Sequence, residues 1–119
     1  VRDWGHAEEY AEAMWRILQL SYPTDLVIAT GQSYSVRDFI NMTAKNLGLN
    51  LNWVGFGLNE VAKLDDGRQV IKVDKGYFRP LEVNNLRGDA RKAQEILNWK
   101  PKISIQDIIS QMINHEKRA

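Results

Sequence analysis

Tyr77–Asp89, YFRPLEVNNLRGD, sets two aromatic residues, a proline-fixed arginine, a carboxylate and a second arginine within thirteen residues. It stands between a strand-like run, Gln69 to Asp74, and a helix-like run, Ala90 to Asn98, the kind of junction where binding sites form. Pro80 biases Arg79 toward an extended backbone. Tyr77 and Phe78 can wall the guanidinium, and a fixed fork of that kind suits phosphate. The plainer reading, a solvated surface arginine, stands beside it on local sequence alone.

A second cationic turn, in Val1 to Ala11 (VRDWGHAEEYA), also precedes a helix, so the two turns can converge on one ligand. Asp3 reads as a carboxylate that anchors its turn or caps the helix. Glu82, three residues after Arg79, reads either as a surface acid or as an acceptor for the vicinal diol of a ribose.

The chain has 119 residues, enough for one domain burying roughly two-thirds of its unfolded surface. Apolar residues at 44% and charged residues at 26% are ordinary for a globular fold. A formal charge of +1 supplies no basic field for nucleic acid. Cysteine is absent, which removes disulfides and thiolate metal sites, and no apolar run approaches membrane-spanning length. A cytoplasmic location is expected. The abrupt Val1-Arg2-Asp3 start, without methionine, suggests a fragment.

Along the chain, apolar spacing predicts a helix from Ala7 to Leu20, with Met14 and Trp15 in the core. Leu26–Thr30 (LVIAT) reads as a strand buried on both faces. Ser35 and Asp38 form a capping-box signal for a helix closed by Gly48. Leu49–Val54 and Gln69–Asp74 read as strands, with a hairpin signal at Asp65-Asp66-Gly67. Gly55-Phe56-Gly57 reads as a turn rather than a phosphate cradle, because no Lys-Ser/Thr pair follows. Asp89 is the natural cap of the next helix and Ser104 that of the last, whose face holds Ile105, Ile108, Ile109, Met112 and Ile113. His6 and His115 lack ligands at metal spacing. His6 reads as structural, with a base as the alternative. No serine has a nearby His–Asp pair.

Four segments taken together, RDWGHAEEYAEAMW (2–15), VIATGQSYSVRDF (27–39), YFRPLEV (77–83) and LRGDARKAQEILNWKPK (86–102), resemble the C-terminal part of the GDP-mannose 4,6-dehydratases, within the extended short-chain dehydrogenase/reductase family. The resemblance implies a small α/β substrate-binding lobe spanning 1–119, with about four helices and three or four short strands, cut from a longer enzyme. It implies that Arg2 and Arg79 bind the diphosphate of GDP-mannose and Glu82 its ribose. It implies NADP on a nucleotide-binding lobe outside this chain, a homo-oligomeric full-length enzyme, and no reaction by the lobe alone. In keeping with that, no Tyr-x-x-x-Lys and no G-x-x-G-x-x-G occurs here. The sequence departs from the family where Leu81 replaces threonine, Asn84 an acid, and Ala62 and Asn98 glycine. The remaining readings are the same lobe of another nucleotide-sugar epimerase or dehydratase, and a non-catalytic binding module.

Overall fold

A computed structural model describes residues 1–78 and 84–118. Among them are four helices, α1 (Ala7–Leu18), α2 (Val36–Asn46), α3 (Arg91–Leu97) and α4 (Ile105–Arg118), and five short strands. β1 (Arg2–Asp3) pairs antiparallel with β2 (Ser33–Tyr34), and β3 (Asn52–Val54), β4 (Val61–Lys63) and β5 (Gln69–Lys72) form an antiparallel three-stranded sheet in that order. The small α/β lobe implied by the sequence is the one found.

Local chemistry fixes the helix ends. At the start of α2 the Ser35 hydroxyl accepts from Asp38 N at 2.9 Å while the Asp38 carboxylate accepts from Ser35 N at 3.0 Å, so two amides with no partner inside the helix are satisfied reciprocally. At its other end Gly48 adopts φ 73°, and Leu49 N reaches back to the Ala44 carbonyl at 2.8 Å, the left-handed closure that glycine permits. Asn98 ends α3 in the same left-handed region, φ 51°; asparagine tolerates it best after glycine. Arg16 of α1 donates to the carbonyls of Leu97 and Asn98 at 3.1 and 2.6 Å.

Two small cores result. The first gathers Ala13, Ala29, Ala90, Ala93, Leu97 and Trp99, with Tyr10, Ile17, Leu26 and Ile28 against them. The second is the Ile105, Ile109 and Ile113 stripe of α4, packed by Trp4, Tyr34, Phe39 and Met42. Residues 4 to 9 join the two. Trp4 stacks on Phe39 at 4.6 Å and donates to the Tyr34 carbonyl at 2.9 Å, and the Glu9 carboxylate accepts from Lys102 N and Ile103 N at 2.7 and 2.9 Å.

Several expectations give way here. Met14 and Trp15 are not core: they are 64% and 61% exposed, because α1 buries the Tyr10–Ala13–Ile17 line and turns Met14, Trp15 and Leu18 outward. The helix also stops at Leu18 rather than Leu20. Met112 faces solvent on α4 for the same geometrical reason. Leu26–Thr30 pairs with no strand among the described residues; Ala29 is buried and Leu26 and Ile28 pack half-buried on the first core, but Val27 is exposed. Asp89 does not cap α3; Ala90 holds that position, and the Asp89 carboxylate instead accepts from Arg91 N at 3.1 Å in a local turn.

Nor is the expected burial reached. The chain exposes 9152 Å², against roughly 6,600 Å² for a closed domain of this mass. Its radius of gyration is 17.8 Å, against roughly 13.5 Å for a compact chain of this length.

Candidate functional site

Asp3 is the hub of the region that holds the first cationic turn. Its Oδ1 accepts from Thr30 N at 2.9 Å and from the Thr30 hydroxyl at 2.6 Å, and its Oδ2 from Gly31 N at 2.8 Å and Gly88 N at 3.2 Å. Strand side chains alternate between faces. With the Asp3 carboxylate turned onto these four donors, Arg2 stands on the other face of β1, its register partner being Tyr34. The Arg2 guanidinium donates to the Val1 carbonyl at 2.9 Å.

The segment leading away from Tyr77–Asp89 lies alongside. Val1 N donates to the Asn84 carbonyl at 2.9 Å, and Leu86 N donates to the Val1 carbonyl at 3.0 Å. Gly88 packs so closely on the 26–30 segment that a Cβ there would stand 2.1 Å from the Ala29 Cβ. The structure thus brings Val1 and Asp3, the residues on either side of Arg2, against residues 84–88. Arg79 and Glu82, the other two predicted contacts, lie outside the described residues, as do Pro80 and Leu81. Tyr77 and Phe78 are exposed, Tyr77 at the end of a short 3₁₀ turn, Lys75–Tyr77. Asn84 contributes its backbone carbonyl to the junction.

A polar cleft of about 380 Å³ opens beside this knot, lined by Thr30, Gly31, Arg87, Asp89, Arg91 and Gln94 among others. Arg91 is committed to Asp89, which it meets at 2.6 Å. The sequence reading missed Thr30, Gly31 and Gly88 as partners of Asp3. A threonine-glycine turn after an apolar run was the available signal.

His6 is structural. Its Nδ1 accepts from Glu8 N at 3.1 Å, capping α1, which requires the proton on Nε2; Nε2 then donates to Gln111 Oε1 at 2.8 Å. A ring held at both nitrogens is not poised as a base. His115 is exposed near the end of α4. Among the described residues no three metal-binding side chains cluster, and no helix is long and apolar enough to cross a membrane.

The carboxylates are tuned by their neighbours. Burial works to raise the Asp3 carboxyl, but the hydrogen bonds from Thr30, Gly31 and Gly88 together outweigh it and hold it below the ordinary 3.8. Asp89 is held at about 2, first by hydrogen bonds from the Arg91 side chain and backbone. A carboxyl whose folded value is depressed adds stability that is complete above its unfolded value and is lost as pH falls through the folded one. Stability should therefore decline as pH drops below about 4, and Asp3→Asn should make that decline shallower. Urea unfolding at a series of acid pH values reads it; an unchanged slope in the variant would exclude Asp3 as a contributor.

The match to known proteins covers nearly all of the chain. The family model described as GDP-mannose 4,6 dehydratase matches residues 1–112. GDP-mannose 4,6 dehydratase 2 of Caenorhabditis elegans is 49% identical over 113 residues, covering 95% of this chain and 30% of that protein. The human GDP-mannose 4,6 dehydratase is 43% identical over 114 residues, covering 95% and 31%. A GDP-mannose 4,6-dehydratase of Vibrio cholerae serotype O1 is 43% identical, covering 95% and 33%. The chain spans about a third of the length of these relatives.

Proposed function

From the premise that this chain belongs to the GDP-mannose 4,6 dehydratase family, we propose that it is the substrate-binding lobe of a longer enzyme that converts GDP-D-mannose to GDP-4-keto-6-deoxy-D-mannose and water. Arg2 and Arg79 hold the diphosphate and Glu82 the ribose diol. Guanidinium groups suit the first task because their planar donors match phosphate oxygens, and an acid suits the second because it accepts from two adjacent hydroxyls.

The observation that carries this reading is the junction at Val1–Asp3. It lays β1 against residues 84–88, the continuation of the segment bearing Arg79 and Glu82. In this reading Arg2 and the 77–89 segment serve one ligand. In such an enzyme NADP supplies hydride removal and return at the sugar. The 119 residues hold no glycine-rich dinucleotide turn and no Tyr-x-x-x-Lys, so neither the cofactor nor the base is assigned to this lobe, and the lobe alone is inactive. What it contributes is binding and orientation of the nucleotide sugar.

The test is kinetic, on the full-length enzyme. Arg2→Ala, and separately Arg79→Ala, should raise KM for GDP-mannose roughly ten- to a hundredfold, the scale of a lost hydrogen bond to a charged group. Agreement with the parent within about a factor of two would remove these residues from the substrate site. Competition by GDP, but not by UDP or dTDP, is the matching result for base identity. Equal competition by all three would point to another nucleotide sugar.

A further inference from the structure

Helix α1 carries more apolar surface than its own lobe uses. At about 3.6 residues per turn its side chains fall into three sectors. Tyr10, Ala13 and Ile17 pack into the first core. Glu12, Arg16 and Gln19 form a polar side, where Arg16 meets Glu12 at 3.0 Å. In the remaining sector Ala11, Met14, Trp15 and Leu18 recur at i, i+3, i+4 and i+7, the spacing of a buried helix face, yet all four are exposed, Leu18 at 79%. Single apolar side chains at a surface are ordinary, but a contiguous stripe of a few hundred Å² marks an interaction site.

Two observations bear on what covers it. The chain exposes 9152 Å², about 2,500 Å² more than a closed domain of its mass would, and an excess of that size is the scale of a permanent interface. The chain also spans about a third of the length of its relatives. A second copy meeting it through this stripe alone would bury less than the roughly 1,200 Å² of a stable interface, whereas a lobe on the same chain docks intramolecularly and needs no such area.

We propose that the Ala11, Met14, Trp15 and Leu18 stripe of α1 is the docking face for the rest of the longer enzyme: an apolar surface of the lobe outside these 119 residues packs on it and makes α1 an internal helix, buried on two sides. The inference rests on the reading of this chain as one lobe of a longer protein. Because α1 follows β1 closely, through the His6 cap, docking on the stripe also fixes β1 relative to the other lobe.

Hydroxyl-radical footprinting of the full-length enzyme reads the cover without any substitution. Met14 is expected to oxidise at less than about a tenth of the rate of N-acetylmethionine amide in the same tube, as a side chain in a packed interior does. A rate comparable to that reference, as 64% exposure would give, overturns the proposal. Replacing Trp15 with the photocrosslinker p-benzoylphenylalanine then identifies what lies against it. Crosslinks within a single chain, to residues outside these 119, are expected; a product with the mass of two chains, or crosslinks confined to the 119 residues, overturns the proposal. A native protein whose measured mass is that of these residues alone would remove the lobe reading and this inference together. A reactive Met14 in a longer chain removes this inference alone, so the two failures are told apart.

Discussion

Trp99→Ala is expected to lower the unfolding free energy by about 3–5 kcal/mol, the range for removing a large buried aromatic side chain. Trp99 is among the largest fully buried side chains in the structure, and four of the six residues in its core cluster, itself included, are alanines. Such short side chains cannot move in to fill the space an indole leaves, so the cavity persists. The ring also meets Tyr10 edge-on, centroids 6.3 Å apart, and its Nε1 donates to the Glu9 carbonyl at 3.0 Å. Trp99→Phe keeps most of the apolar contact but loses the hydrogen bond to that carbonyl, and should cost less than the alanine variant. Urea unfolding of the parent and both variants decides. A loss below about 1 kcal/mol for alanine would mean that this cluster does not hold α1 to α3.

Gly88→Ala should cost about 3 kcal/mol, the upper part of the range for forcing extra volume into a packed site. The added methyl would stand 2.1 Å from the Ala29 Cβ and 3.4 Å from Val27 Cγ1. Both neighbours sit on a backbone already pinned through Thr30 to Asp3, so relief requires the 86–89 segment to move away. That movement breaks the Gly88–Asp3 hydrogen bond. The variant should therefore lose stability through both the clash and that lost hydrogen bond. Thermal unfolding of parent and variant reads it; a Gly88→Ala protein as stable as the parent would show that the close approach is relieved without cost.

The features legible in the sequence are those decided within a few residues. The Ser35–Asp38 capping box, the Gly48 closure of α2, the Ser104 cap, whose hydroxyl accepts from Asp107 N at 3.1 Å, and the turn at Asp65–Gly67 all need only neighbours. Where a partner decides, the reading went astray. α1 carries two apolar lines at helical spacing, and the bulkier one, with Met14, Trp15 and Leu18, drew the core assignment. The narrower line with Ala13 is the one that lets α3 approach closely. Asp89 had the right chemistry for a cap, but Arg91 two residues on competes for its carboxylate. Of the site, Arg2 and Asp3 were found because they share one turn. Asp3's partners were not, since they stand 27 to 85 residues away in sequence. Arg79 and Glu82 lie outside the described residues.

LVIAT, residues 26–30, has no charge, no proline and no glycine, the composition of segments that stack into cross-β fibrils when their edges are open. Among the described residues this segment pairs with no strand, and Val27 is exposed. What stands guard is at its ends: Pro23 and Asp25 before it, and Gly31, in a left-handed turn, after it. Residues of these types interrupt stacking and act as gatekeepers. The same five residues that wall the first core thus have the composition of an aggregation-prone segment, and Asp25, whose carbonyl also takes a hydrogen bond from Lys92 at 3.1 Å, is the charge that flanks it.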